Sequence, residues 1–430
     1  MQSGGTSMGA SEWRRHGMML LPCTLGIMLC SVPNYSLGVL IRPLEQEFGW
    51  TRAEISSGPF IIALIALIGG PLVGMAMDRF GARRIALPGV LCFCAALALL
   101  SIATQDIRTW WLLWIVVGMT AMAVIPSIWT FAINSFFDAN RGKALAIALS
   151  GTGIGAFLMP PLTNLLVEDY GWRGAYLGLA LILGMLCLPL TFFLFRSAAD
   201  VHRVSQAASK SNLMPAKLAG MTAQQGFRTP KFYNLAAVTV IFSTAICGLT
   251  ANQTPILIAQ GLNPANAAAV AGLMGIGSII GRLAGGILLD RWDAKKVAAI
   301  SVLTPCINVG LLLAFPGSVE VAMIATLVLG LAIGTELDAV AYLAARHFGL
   351  RRLGLLYGTI NGLMLFANGL APMLANYVYD VARSYHPYMW AVIPAFFLTA
   401  VMFLMMGSYP THASPEDAVS GAGDNGRATG

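Results

Sequence analysis

Twelve apolar stretches of about 20 residues or more leave this chain little choice of fold, because a ~30 Å hydrocarbon core is crossed by that length of helix. In lipid every backbone N–H and C=O must be satisfied inside its own segment, so each stretch reads as a helix. The spans are approximately 17–41, 54–77, 85–104, 110–136, 143–167 and 174–195, then 232–258, 265–289, 297–315, 321–345, 354–378 and 388–408. Only 10% of the 430 residues are charged, whereas a soluble domain carries about 25%. An all-α polytopic membrane protein follows. The first stretch comes after Arg14, Arg15 and His16 in the manner of a secretory leader. It is too long for one and lacks a small-residue cleavage site, so it is expected to be retained.

The stretch 69–84, GGPLVGMAMDRFGARR, ends one of these helices in a glycine-bearing, basic turn, and its pattern returns 212 positions later in Gly281, Gly286, Asp290, Arg291, Lys295 and Lys296. The same offset pairs Pro43 with Pro255, Gly49 with Gly261, Gly118 with Gly330, Phe136 with Phe348, Gly142 with Gly354 and Pro160 with Pro372. So many coincidences at one offset indicate a duplication. The expected organisation is a six-helix bundle over 1–195, a cytoplasmic linker over 196–231, a pseudo-symmetric second bundle over 232–410, and a disordered cytoplasmic tail over 411–430.

The charges orient the bundles. With both termini inside, 20 of the 26 Lys and Arg residues fall on the cytoplasmic side and five outside: Arg42, Arg52, Arg108, Arg173 and Arg383. That bias fits the positive-inside rule. It also accounts for the net charge of +7 without any nucleic-acid partner. The seven cysteines all lie in apolar runs, which points to packing and not to a disulfide framework. The five histidines fall in expected loops or tails, so no metal site or histidine relay is expected; no phosphate loop, enzymatic constellation or cofactor motif is present.

The sequence resembles the major facilitator superfamily, through the twelve helices, the central loop and the signature Gly-x-x-x-Asp-Arg-x-Gly formed by Gly74, Asp78, Arg79 and Gly81, followed by Arg83 and Arg84. Ala76 and Ala82 depart from the usual leucine and basic residue, and Asp293 stands in the second copy where glycine is common. The resemblance implies the major facilitator fold: two bundles rocking around a midplane site, with Asp78 engaging the other half near the start of helix 11. The alternative is that 69–84 only anchors topology and packs helices. The segments YSLGVLIRPLEQEFGW, RGKALAIALSGTGIGAFLMPP and GTELDAVAYLAARHFG are similar to the oxalate/formate antiporter and monocarboxylate transporter branch. A monomer in a bacterial inner membrane is expected.

Charge inside the membrane costs at least ~2.5–3.5 kcal/mol, so it marks function. Three such residues remain: Arg282 in helix 8, with Glu336 and Asp338 in helix 10. Arg282 precedes Asp290 by eight residues, as Asp338 precedes Arg346. Both therefore sit ~12 Å from the basic boundary and can pair. Glu336 and Asp338 diverge around their helix, so one faces the cavity and the other a neighbour. In the resembled branch an arginine here contacts the substrate carboxylate; a structural ion pair is the other possibility. Tyr357, Asn361 and Asn368 share one face of helix 11. The related oxalate carriers have lysine where Asn368 stands, so a dicarboxylate is disfavoured. Tyr35, Trp129, Asn252 and Gln253 are candidates for lining the cavity, or for interhelical bonding and packing. The expectation is a transporter of a small organic anion, a monocarboxylate, by proton symport. Efflux of hydrophobic compounds, anion exchange and a non-transporting sensor are the alternatives.

Overall fold

A computed structural model describes residues 13–137, 141–196, 223–348 and 353–407, and among them there is no strand. In the first half, α1 (Leu20–Phe48) continues through Pro33 and Pro43 and ends on Gly49, whose φ of 69° suits glycine. A helical turn, Arg52–Ile55, opens with a Thr51–Glu54 capping box and leads into α2 (Ser57–Phe80). Then come α3 (Ala82–Leu99) and a two-piece α4 (Ile107–Ala121 and Pro126–Phe136). Pro126 has no N–H and forces Ile125 to an extended ψ of 151°, which breaks the helix there. The helices α5 (141–170) and α6 (172–194) turn back on each other at Gly171, φ 68° and ψ 177°.

The second half repeats the plan. A short helix, Ala223–Arg228, precedes α7, which is interrupted at Asn252 (Pro230–Ala251 and Gln253–Ala259). It is followed by α8 (Pro264–Arg291), α9 (Ala294–Ala314), α10 (Val319–Phe348), α11 (Leu353–Ala382) and α12 (His386–Leu404). Nine helical stretches among the described residues are long and apolar enough to cross a membrane by length and composition, the 53-residue Gly142–Leu194 being two folded passes. With α10 and α11, of 30 residues each, the helices are consistent with twelve passes. Most of the 196–231 connector and the whole 411–430 tail lie outside the described residues.

The duplication is visible in backbone angles. Gly49 (φ 69°) has its counterpart in Gly261 (φ 103°), and Gly171 (φ 68°) in Arg383 (φ 53°), which keeps the left-handed turn although it is not glycine. Gly118 packs on Ile62 and Ile65 of α2, while Gly330 packs on Met274 and Gly277 of α8, the same contacts 212 residues on. One turn has diverged. Gly81 sits at φ 84°, ψ 152° between α2 and α3. Asp293 has an ordinary φ of −62° and caps α9 through the Lys295 N–H. One buried apolar cluster runs from Met19 to Phe195 and another from Phe232 to Met406. The halves meet where α2 faces α11, α5 faces α8 and α1 faces α7. Below, the basic end is the one carrying the turns after α2 and α8, and the far end is its opposite.

Candidate functional site

Arg282 sits on the most closely packed pair of helices. Three glycines at four-residue spacing bring α8 against α10, so a Cβ on Gly277, Gly281 or Gly285 would lie 2.0–2.3 Å from Leu327, Leu331 or Thr335 atoms. From the other side Gly330 and Gly334 meet carbonyls of Met274 and Ser278. Small residues let backbones approach this way in lipid, where dispersion and not water exclusion holds helices together. Gly334 faces the Arg282 backbone nitrogen, so the two residues are level. Asp338 then lies about 6 Å further toward the basic end at 1.5 Å per residue. Arg282 is thus nearer the middle than the equal depth expected from the sequence. The side chains of Glu336, Asp338 and Asp78 lie outside the described residues.

Gly275, Ser278 and Arg282 share one face of α8 by helical spacing. That face meets the first half, because Gly153 of α5 abuts Gly275, Ser278 and Ile279. Arg282, half-buried, continues the same seam. Tyr35 of α1 packs beside it on a small cluster that bridges the halves: Ala156 of α5, Ala271 and Met274 of α8, and Ile333 of α10. The Tyr35 hydroxyl is within electrostatic range of both the Arg282 guanidinium and the Cys247 thiol. Cys247 of α7 in turn donates its S–H to Asn368 Oδ1 of α11 at 3.0 Å. The structure therefore brings Tyr35, Arg282 and Asn368 to one region between the halves, and adds Cys247. Nothing in the sequence distinguished that thiol from the other six.

Trp129, Asn252 and Gln253 make their bonds outside that region. Trp129, a candidate for the cavity or for packing, is fully buried in the first half. Its indole N–H donates to Val124 O at 2.9 Å, satisfying a carbonyl freed by the break in α4. Asn252 and Gln253 are also fully buried. They donate to Gly248 O within α7 and to Thr326 Oγ1 of α10, which steadies the interruption in α7. On α11, Asn361 is half-buried and Tyr357 packs against the second half's core. His347, expected in a loop, is a fully buried residue of the last turn of α10. In the signature, Arg83 ties the α2–α3 turn to α6 by donating to Phe192 O at 2.7 Å. Arg79 lies 5.3 Å from the Phe80 ring, and Arg84 is exposed.

The seam differs at its two ends. At the far end a Cβ on Gly369 of α11 would lie 2.3 Å from Ala63 of α2, and one on Gly38 of α1 2.6 Å from Ala251 O of α7. Toward the basic end, Gly362 finds only Leu67, at 3.6 Å, and Gly358, Gly70 and Gly74 find nothing within 4 Å. So α2 and α11 diverge toward the basic end. The far end also carries a polar clasp. Asp380 of α11 accepts from the backbone N–H groups of Arg52 (3.1 Å) and Ala53 (2.8 Å). Arg52, treated as a loop charge from sequence, is only 9% exposed. It pairs with Glu45 at 3.1 Å, donates to the Tyr385 hydroxyl and lies 3.8 Å over the Tyr379 ring. Tyr385 donates to Asn376 Oδ1, and Asn376 donates to Ser56 Oγ.

Comparison with known proteins accords with this geometry. The sequence model of the Major Facilitator Superfamily matches residues 23–303 and 235–425. A gallate transporter of Pseudomonas putida is 27% identical over 323 residues, 68% of this chain and 69% of that protein. Human monocarboxylate transporter 12 is 24% identical over 307 residues, 66% of this chain and 59% of its own length. Among solved structures, a bacterial homolog of the human lysosomal transporter Spinster, inward-facing and occupied, superposes with a TM-score of 0.70 at 16% identity, covering 92% of this chain and 98% of that one. The nucleoside transporter NupG gives 0.70 at 13% identity, covering 91% and 100%.

Proposed function

The chain belongs to the Major Facilitator Superfamily, and from that premise we propose that it carries a small organic monocarboxylate, aliphatic or aromatic, across the membrane together with a proton. The observation that carries this reading is Arg282, half-buried on the face of α8 that meets the first half and within electrostatic range of Tyr35. A guanidinium presents a planar fork that binds a carboxylate through two hydrogen bonds. The substrates named for the gallate and monocarboxylate relatives are acids of this class. Asn368, a neutral partner of Cys247, leaves that wall of the site without a second cation, which favours one carboxylate over two. The basic end faces the cytoplasm, and the divergence of α2 and α11 opens the seam to that side.

Arg282 pairs at rest with Asp338 or Glu336 on the adjoining helix α10. A substrate carboxylate that takes over the guanidinium leaves the acid alone, and an isolated charge costs several kcal/mol there. The acid takes up a proton, and the loaded site reorients without net charge. Labelled benzoate or lactate taken up into proteoliposomes tests this. Uptake is expected to follow an imposed pH gradient and to ignore voltage, which acts with ~2.3 kcal/mol per charge per 100 mV on a charged carrier. Asp338→Asn or Glu336→Gln, whichever holds the coupling acid, is expected to abolish accumulation. Accumulation that follows voltage and ignores pH would instead favour anion exchange.

A further inference from the structure

The far-end clasp holds two halves together with groups that are costly to leave unmade, yet a carrier must part them at every turnover. We propose that Asp380 and Arg52 form a releasable latch on the α2–α11 side of the seam, and that breaking it limits opening of the far end. This rests on the alternating-access reading above. The carboxylate of Asp380 accepts two backbone N–H groups at the start of the turn that leads into α2. Those N–H groups have no intrahelical acceptor, so the carboxylate satisfies two donors that would otherwise go unpaired. Arg52 is held on the same side by Glu45, by Tyr385 and by the face of Tyr379. Asn376, fully buried, closes the set by bonding Tyr385 and Ser56 at once.

The latch is one-sided, and the duplication shows why. The counterparts of Asn376 and Asp380 at the 212-residue offset are Asn164 and Glu168 on α5, which faces α8. The counterparts of Arg52 and Ala53 are Pro264 and Ala265, and proline has no N–H to offer. Glu168 accepts from Asn164 instead, within its own half. On that side the halves are joined by backbone packing of Gly153, Gly272 and Gly275, without an acid on a helix start. The far end therefore parts at α2–α11, where the bonds are polar and reversible, and pivots along α5–α8.

Spin labels at the exposed positions Arg108 and His386 report the far end, and labels at Arg84 and Lys296 the basic end, by electron–electron distance measurement in liposomes. Asp380→Asn is expected to raise the ratio of far-open to basic-open molecules roughly tenfold, the size that follows from weakening hydrogen bonds to a charged acceptor. Tyr385→Phe is expected to shift it in the same direction. Cross-linking Ser56→Cys to Asn376→Cys is expected to stop uptake, with recovery on reduction. An unshifted ratio in Asp380→Asn, or undiminished uptake by the cross-linked pair, overturns the latch. If wild type and every variant show one far-closed arrangement with and without substrate, alternating access itself falls, and the latch with it.

Discussion

Arg282→Lys keeps a positive charge at the seam and removes the fork. If the guanidinium grips a carboxylate through two hydrogen bonds, transport is expected to fall roughly tenfold to a hundredfold. Far-UV circular dichroism and gel filtration should remain those of wild type. Near-normal uptake by the lysine variant would leave Arg282 as a structural ion-pair partner. The charge, and hence Arg282 itself, was legible in the sequence, because so few ionised residues lie inside apolar runs. Its neighbours were not. Trp129 and Gln253 have the polarity expected of ligand residues, yet each spends its N–H on a group set free by a helix break or on a neighbouring helix. Composition and depth are the same for the two uses of a side chain. Only its direction separates them.

At the scale of the element, glycines that look alike in sequence do different things. Gly281 and Gly286 both belong to the repeated signature stretch. A Cβ on Gly281 would lie 2.3 Å from Leu331 O, a backbone atom that cannot move aside, whereas one on Gly286 meets nothing within 4 Å. Gly281→Ala is expected to cost about 1–3 kcal/mol through overpacking, lowering the melting temperature in detergent and loosening α8 from α10. Gly286→Ala is expected to melt like wild type. Equal melting temperatures would mean that the α8–α10 contact relaxes without cost. Gly81 holds a third role: at φ 84°, ψ 152° it adopts a turn that Asp293, its counterpart, does not use. The departure noticed at Asp293 was therefore a change in turn geometry, with an aspartate cap replacing a glycine hinge.

Among the described residues α2 and α11 meet at the far end and part toward the basic end, and the gating role expected of Asp78 belongs to that balance. Asp78 ends α2 as Asp380 ends α11, at the opposite face. If Asp78 stabilises closure of the basic end, Asp78→Asn is expected to slow turnover several-fold while substrate affinity changes little, because Asp78 stands eight residues beyond Gly70, the counterpart of Arg282 at the 212-residue offset, which is about 12 Å of helical rise. Equilibrium binding measured beside uptake rates checks this. Parallel losses in both would assign Asp78 to folding alone.

The number and length of the helices, the duplication and the family resemblance were all determined by local pattern. A run of about 20 apolar residues has one stable form in lipid, and a repeat at a fixed offset survives as matching glycines and prolines. The membrane arginine was legible for the same reason, since its cost is local. Which polar side chains turn toward the seam was decided only by tertiary structure. The break in α4 recruits Trp129, and the packing of α8 on α10 sets Arg282 level with Gly334 rather than with Asp338. The clasp joins Arg52 to Asp380, 328 residues apart. Each of these depends on the angle and register between helices, which dispersion and shape set across the whole bundle and no single segment encodes.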